Sequence, residues 1–128
     1  MTVEPLPDTL AAAGVARRRL ADVLTGWPAD ARDAALLLTS ELVSNAVLHG
    51  AAPVSLSIQV LSRSGLLRLR VEVHDGNPDL PATPSQDRSD SSEHGRGLQI
   101  VRALASDWGS RAADGTPGKT SWFELDAV

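Results

Sequence analysis

Val54-Ser55-Leu56-Ser57-Ile58-Gln59-Val60 and, a few residues on, Leu67-Arg68-Leu69-Arg70-Val71-Glu72-Val73 alternate apolar and polar side chains without a break. A strand sends successive side chains to opposite faces, so each segment predicts a strand with one apolar and one polar face. The Ser62-Arg63-Ser64-Gly65 link between them predicts a turn, and hence an antiparallel hairpin. A sheet with one wet face needs cover on the other face only. Helical periodicity upstream supplies that cover. Leu10, Ala13, Ala16, Leu20, Val23 and Leu24 recur at helical spacing behind a cap at Asp8 or Thr9, and Gly26-Trp27-Pro28 ends the helix. A second helix opens at Pro28 and runs to His49, with Gly50 as its stop.

Residues 1–8 form a proline-broken lead-in with room for a short strand. Downstream of the hairpin, residues 77–94 are rich in Pro, Ser and acids and read as a long polar loop. Gly95-Arg96-Gly97 then opens a third helix, a strand is expected near Trp108 to Ala112, and a last strand runs from Thr120 to Leu125. The expected architecture is an α/β (α+β) two-layer sandwich, its mixed, mostly antiparallel sheet covered by helices on one face.

Composition narrows the function. The 128 residues suit a single domain, and 16 acidic against 12 basic residues give a net charge of −4, which speaks against nucleic-acid binding. The longest apolar run, Leu10 to Ala16, is far short of the ~18 residues of a membrane span. Glu4, Pro5, Pro7 and Asp8 stand where a secretory leader would be basic and then apolar, so a cytoplasmic protein without membrane contact is expected. With no cysteine, disulfides and thiolate chemistry are excluded. The histidines, His49, His74 and His94, lack metal-site spacing, and Ser40 and Ser44 have no His-Asp relay near them. Lys119, the single lysine among eleven arginines, reads as a base-composition bias, and Trp27, Trp108 and Phe123 read as core.

Three polar features sit where packing alone would not put them. Asn45 falls between Leu38, Leu42 and Leu48 on the expected buried face of the second helix, with Glu41 one turn away at its edge. An unpaired buried amide costs about 1–3 kcal/mol, so backbone, water or a ligand must satisfy it. Asp75 continues the inward parity of 67, 69, 71 and 73 and lands on the core face at the strand's end, where it can accept from a ligand's amino group or cap the following turn. Gly95 and Gly97, at a helix N-terminus, can present amides to an anion or act as a hinge.

In order, these features resemble the boxes of the GHKL (Bergerat-fold) ATPases, the superfamily of gyrase and histidine-kinase ATP domains. Glu41-Leu42-Val43-Ser44-Asn45-Ala46 resembles the N box, Val73-His74-Asp75-Gly76-Asn77-Pro78 the first glycine box, Gly95-Arg96-Gly97-Leu98-Gln99-Ile100-Val101 the second, and Gly118-Lys119-Thr120 the closing G-T element. The likeness runs from about residue 10 to about 125, and the chain is most similar to the anti-sigma-factor serine kinases (the RsbW-like branch). The resemblance implies ATP and Mg²⁺ as cofactors, with Asn45 holding the metal against the phosphates and Glu41 as general base. It further implies Asp75, with Gly76, at the adenine amino group and Thr120 assisting. Gly95, Arg96, Gly97 and Leu98 would lie at the phosphates, and residues 77–94 would form a lid. The implied partners are a sigma factor and an anti-anti-sigma (STAS-type) antagonist, with homodimerisation left open. The chain departs from the pattern in having Asn77 and Asp79 where the first glycine box has glycines, and Glu93-His94 where the kinase branch has an arginine. Those departures keep two alternatives in view: a non-catalytic ATP-binding or partner-binding module, and the detached ATPase domain of a split histidine kinase.

Overall fold

In a computed structural model of the protein, the residues described are 2–78, 105–112 and 117–127. Five strands and two helices follow the order β1 (Thr2–Leu6), α1 (Ala11–Val23), α2 (Ala29–His49), β2 (Val54–Arg63), β3 (Leu66–Asp75), β4 (Asp107–Ala112) and β5 (Lys119–Asp126). The strands form one sheet in the order β1-β2-β3-β5-β4. All four pairings are antiparallel, so the mixed character expected of the sheet is not found among the described strands. The hairpin is tighter than the four-residue link suggests. Its strands run on to Arg63 and Leu66, and Ser64 (φ 53°) and Gly65 (φ 80°) make a two-residue turn whose twist matches that of the strands.

Strand parity divides the sheet as the alternation predicts. Leu56, Leu69, Val71, Val73, Phe123 and Leu125 are buried on the inner face, against Ala12, Ala16, Leu20 and Leu24 of the α1 region and Leu38, Leu42, Val43 and Ala46 of α2. The α1 face is rotated from the expected one. Ala12 is buried, whereas Leu10, which precedes the helix, and Val23 are exposed. The N-cap position is Leu10, which makes no side-chain cap bond; Thr9, one residue earlier, accepts the Ala11 amide at its hydroxyl (3.3 Å). Trp27 and Trp108 lie half-buried against the core, while Phe123 is wholly inside it.

The outer face carries an ion ladder across β3, β5 and β4. Arg68 donates two hydrogen bonds to the Asp126 carboxylate (2.7 and 3.1 Å) and one to Glu124 (3.0 Å). Arg70 donates to Glu72 and to Glu124, both at 2.7 Å, and stacks 4.2 Å above the Trp122 ring. Bidentate and networked pairs of this kind hold strands in register better than isolated surface pairs do.

Burial alone pushes the Glu124 carboxyl up, but hydrogen bonds from Arg70 and Arg68 outweigh it and hold the group below the usual carboxylate range. Asp126 is held low by its hydrogen bonds from Arg68. A carboxyl with a lowered folded pKa binds fewer protons folded than unfolded. Its stabilisation is complete above the ordinary carboxylate range and is lost as the pH falls through the lowered value. Thermal melts from neutral pH to below about pH 4 check this. Wild type loses melting temperature steeply on the acid side, whereas Glu124→Gln starts lower at neutral pH and loses less.

Candidate functional site

Asp75 ends β3 on the inner face and is 2% exposed. Three glycines make close approaches at this corner, one of them to the carboxyl itself. Gly50, just past α2, is so near that a Cβ there would lie 2.5 Å from the Asp75 carboxyl carbon and 2.5 Å from the Ala46 carbonyl oxygen. Gly50 ends the helix as expected, its amide donating to the Ala46 carbonyl, but its φ of −95° is one any residue adopts, so glycine is required here by close approach. Gly118 meets both constraints: its φ is +121°, and a Cβ would collide with the Asp75 carbonyl. On the third side, a Cβ on Gly76 would collide with the Ala52 carbonyl.

Hydrogen bonds staple the same corner. The Gly76 amide donates to the Ala51 carbonyl (2.7 Å), the Asn77 amide to Asp75 Oδ1 (2.8 Å), and the Asn77 side-chain amide to the His49 carbonyl (3.3 Å). Asn77, at a position where a glycine was expected, thus ties the α2–β2 connection to the end of β3. The Lys119 ammonium pairs with Asp75 Oδ1 at 3.0 Å, and Lys119 is 9% exposed. Leaving one charge of such a buried pair without its partner costs about 3–5 kcal/mol. Lys119 is therefore part of the site, although composition alone gave it no role. Parity with Asp75 across β3 and β5 was the signal that could have found it, because the two are direct register partners. Thr120 pairs with His74 instead, which puts its side chain on the face opposite the Asp75 carboxylate and not beside it as expected.

Glu41 and Asn45 are half-buried on α2. Ala35, Leu38, Thr39, Leu42, Val43 and Ala46 form the buried arc of that helix, so Asn45 borders the core and does not lie in its middle. With neighbours about 100° apart, Glu41 and Asn45 lie on one flank of that arc and Ser40 on the other. Ser40 accepts a hydrogen bond from Arg17 of α1 (3.0 Å), so the Glu41–Asn45 flank faces away from α1. Packing against α1 as well as the sheet is what turns the helix from the orientation a single apolar stripe suggests. Along the axis, Asn45 lies about 7 Å and Glu41 about 13 Å from Gly50, at ~1.5 Å per residue. The described part of the site is thus a buried carboxylate at one end and a polar helix flank leading away from it. Gly95, Arg96, Gly97 and Leu98, and the loop from residue 79 to 94, lie outside the described residues. Among the described residues, no group of three His, Cys, Asp or Glu side chains could hold a metal, and no helix is long and apolar enough to cross a membrane.

Residues 6–122 match the family model described as a histidine kinase-like ATPase domain. Among solved structures, the chain is similar to the histidine kinase domain of the blue-light activated histidine kinase from Erythrobacter litoralis EL346. The TM-score is 0.51 at 20% identity, over 91% of this chain and 59% of that one. The present chain therefore spans less than two thirds of that domain. No curated protein matches the sequence significantly.

The glycine cradle makes a direct prediction. Gly50→Ala forces a methyl group into the Asp75 carboxyl and the Ala46 carbonyl, and it destabilises the protein by about 1–3 kcal/mol, the range for overpacking. Gly26, with φ +88° and nothing near its Cβ position, pays only the strain of a left-handed Cβ on substitution by Ala, about 1–2 kcal/mol. Denaturant melts compare the two variants with wild type.

Proposed function

The chain belongs to the histidine kinase-like ATPase domain family, and from that membership we propose that it is an ATP-binding regulatory protein of the anti-sigma-factor type, acting as a serine/threonine kinase on an antagonist partner. The observation that carries the reading is the buried Asp75, its carboxyl packed against Gly50 and held by the Asn77 amide and the Lys119 ammonium, beside the C-terminal end of α2. A carboxylate held this rigidly is suited to accept from the exocyclic amino group of adenine, because its orientation does not have to be frozen on binding. The axial run from Gly50 to Glu41 suits an extended triphosphate.

Asn45 would hold Mg²⁺ through one amide oxygen, with phosphates and waters as the other ligands. Bound there, the ion would neutralise phosphate charge. Glu41, one turn further along, is the group to accept the proton of an attacking seryl or threonyl hydroxyl. Phosphoryl transfer requires positioning and charge neutralisation more than covalent catalysis, which suits so small a set of polar groups. Gly95, Arg96, Gly97 and Leu98 are assigned to the phosphates and residues 77–94 to a lid. The proposed partners are a sigma factor and a STAS-type antagonist in the cytoplasm.

A second reading, a detached ATPase domain serving a separate phospho-acceptor protein, draws on the fold shared with the Erythrobacter domain. Product chemistry separates the two, since phosphohistidine is acid-labile and phosphoserine is not. With γ-labelled Mg-ATP and a STAS-type antagonist, wild type is expected to give acid-stable label. Glu41→Ala should keep ATP binding and lose at least about 10²-fold in transfer rate, the lower range for general-base catalysis. Asn45→Ala should lose the magnesium-dependent part of ATP affinity. Undiminished transfer by Glu41→Ala, or no transfer to an antagonist that binds, contradicts the kinase assignment.

A further inference from the structure

Asp75, the acceptor on which the nucleotide reading turns, is already engaged within the protein. Its Oδ1 accepts from the Asn77 amide at 2.8 Å and from the Lys119 ammonium at 3.0 Å. Its Oδ2 faces Gly50, where a Cβ would come within 2.7 Å. The residue shows 2% of its surface to solvent, and Lys119 shows 9%. The Asn77 amide and Gly50 belong to the stapled backbone corner and cannot withdraw without undoing it. Lys119 reaches the carboxylate on a flexible four-carbon stem. It is the one of these three contacts that can leave alone.

We propose that Lys119 is a built-in competitor for the base-recognition carboxylate: its ammonium holds Asp75 Oδ1 until an entering base replaces it with an amino group of its own. The inference rests on the adenine-nucleotide reading and gives Lys119 a role that reading does not contain. The apparent affinity is then lowered by the fraction of molecules in which the ammonium sits on Asp75. A base carrying a carbonyl at that edge sets one acceptor against another and cannot take the ammonium's place. A counter-ion that merely stabilises the corner would stay where it is on binding, and its removal would not improve affinity.

Calorimetric titration of Mg-ATP into wild type, Lys119→Met and Lys119→Arg tests the proposal, with folding followed by thermal melts. Lys119→Met keeps the length of the stem without the charge and is expected to bind about tenfold more tightly, as for a competitor engaged in most molecules. Lys119→Arg keeps a cation in reach of Asp75 and is expected to stay near wild type. Equal or weaker binding by folded Lys119→Met overturns the proposal and leaves the nucleotide reading standing. A second measurement uses wild type alone. Lys119 is the only lysine in the chain, so acylation of its ε-amine by an amine-reactive ester can be followed at one site by peptide mass spectrometry. The rate is expected to rise on saturation with Mg-ATP, and an unchanged or reduced rate overturns the competitor role. Absence of nucleotide binding in wild type and both variants removes the nucleotide reading itself, and the proposal with it.

Discussion

Backbone closing on one buried carboxylate organises this molecule. Asp75 lies where the end of β3, the C-terminal turn of α2 and the start of β5 meet: Gly50 lies against its carboxyl, Gly118 against its backbone carbonyl, and Gly76, the next residue, against the Ala52 carbonyl. A side chain at any of these positions would push one element off another. The helix layer and the sheet are therefore locked together at the corner where the proposed ligand would be read. Burying a carboxylate there is unfavourable unless it is paired and hydrogen-bonded, and Lys119 and the Asn77 amide meet both conditions. The cost of holding Asp75 in a dry place is offset inside the fold, before any ligand is present.

From that corner the rest of the arrangement follows by distance. α2 leaves Gly50 with its apolar arc on the core and its Glu41–Asn45 flank turned from α1, Asn45 being nearer Gly50 along the axis than Glu41. The opposite face of the sheet does separate work. There Arg68 and Arg70 of β3 bind Glu124 and Asp126 of β5, fixing the register that brings Lys119 opposite Asp75. A slip of one residue in β5 would send Lys119 to the outer face and leave the carboxylate without its cation.

The hairpin was legible in the sequence because alternation over two strands admits one pairing and one buried face. The α2 boundaries, the end of β3 and the inward direction of Asp75 were legible for the same reason: periodicity and parity are local. What escaped was tertiary. Asn45 sits at the border of the buried arc because two partners, α1 and the sheet, share the helix, and a single apolar stripe cannot show that. Gly50 was legible as the helix stop, but the constraint that requires a glycine there is Asp75, distant in sequence. Lys119 carried no local signal, since its meaning lies in the strand pairing that sets it against Asp75. Thr120 was assigned through the G-T motif, and the register of β5 puts it one position away from the carboxylate.

The central claim is that Asp75 reads an amino group. Its most direct test compares ATP with inosine triphosphate, which carries a carbonyl where ATP carries the amino group, by calorimetric titration into the wild-type protein. The account predicts tighter binding of ATP by at least about tenfold, the effect of losing one hydrogen bond to a buried charge, and loss of that preference in Asp75→Asn. Equal affinity of wild type for the two nucleotides would contradict it.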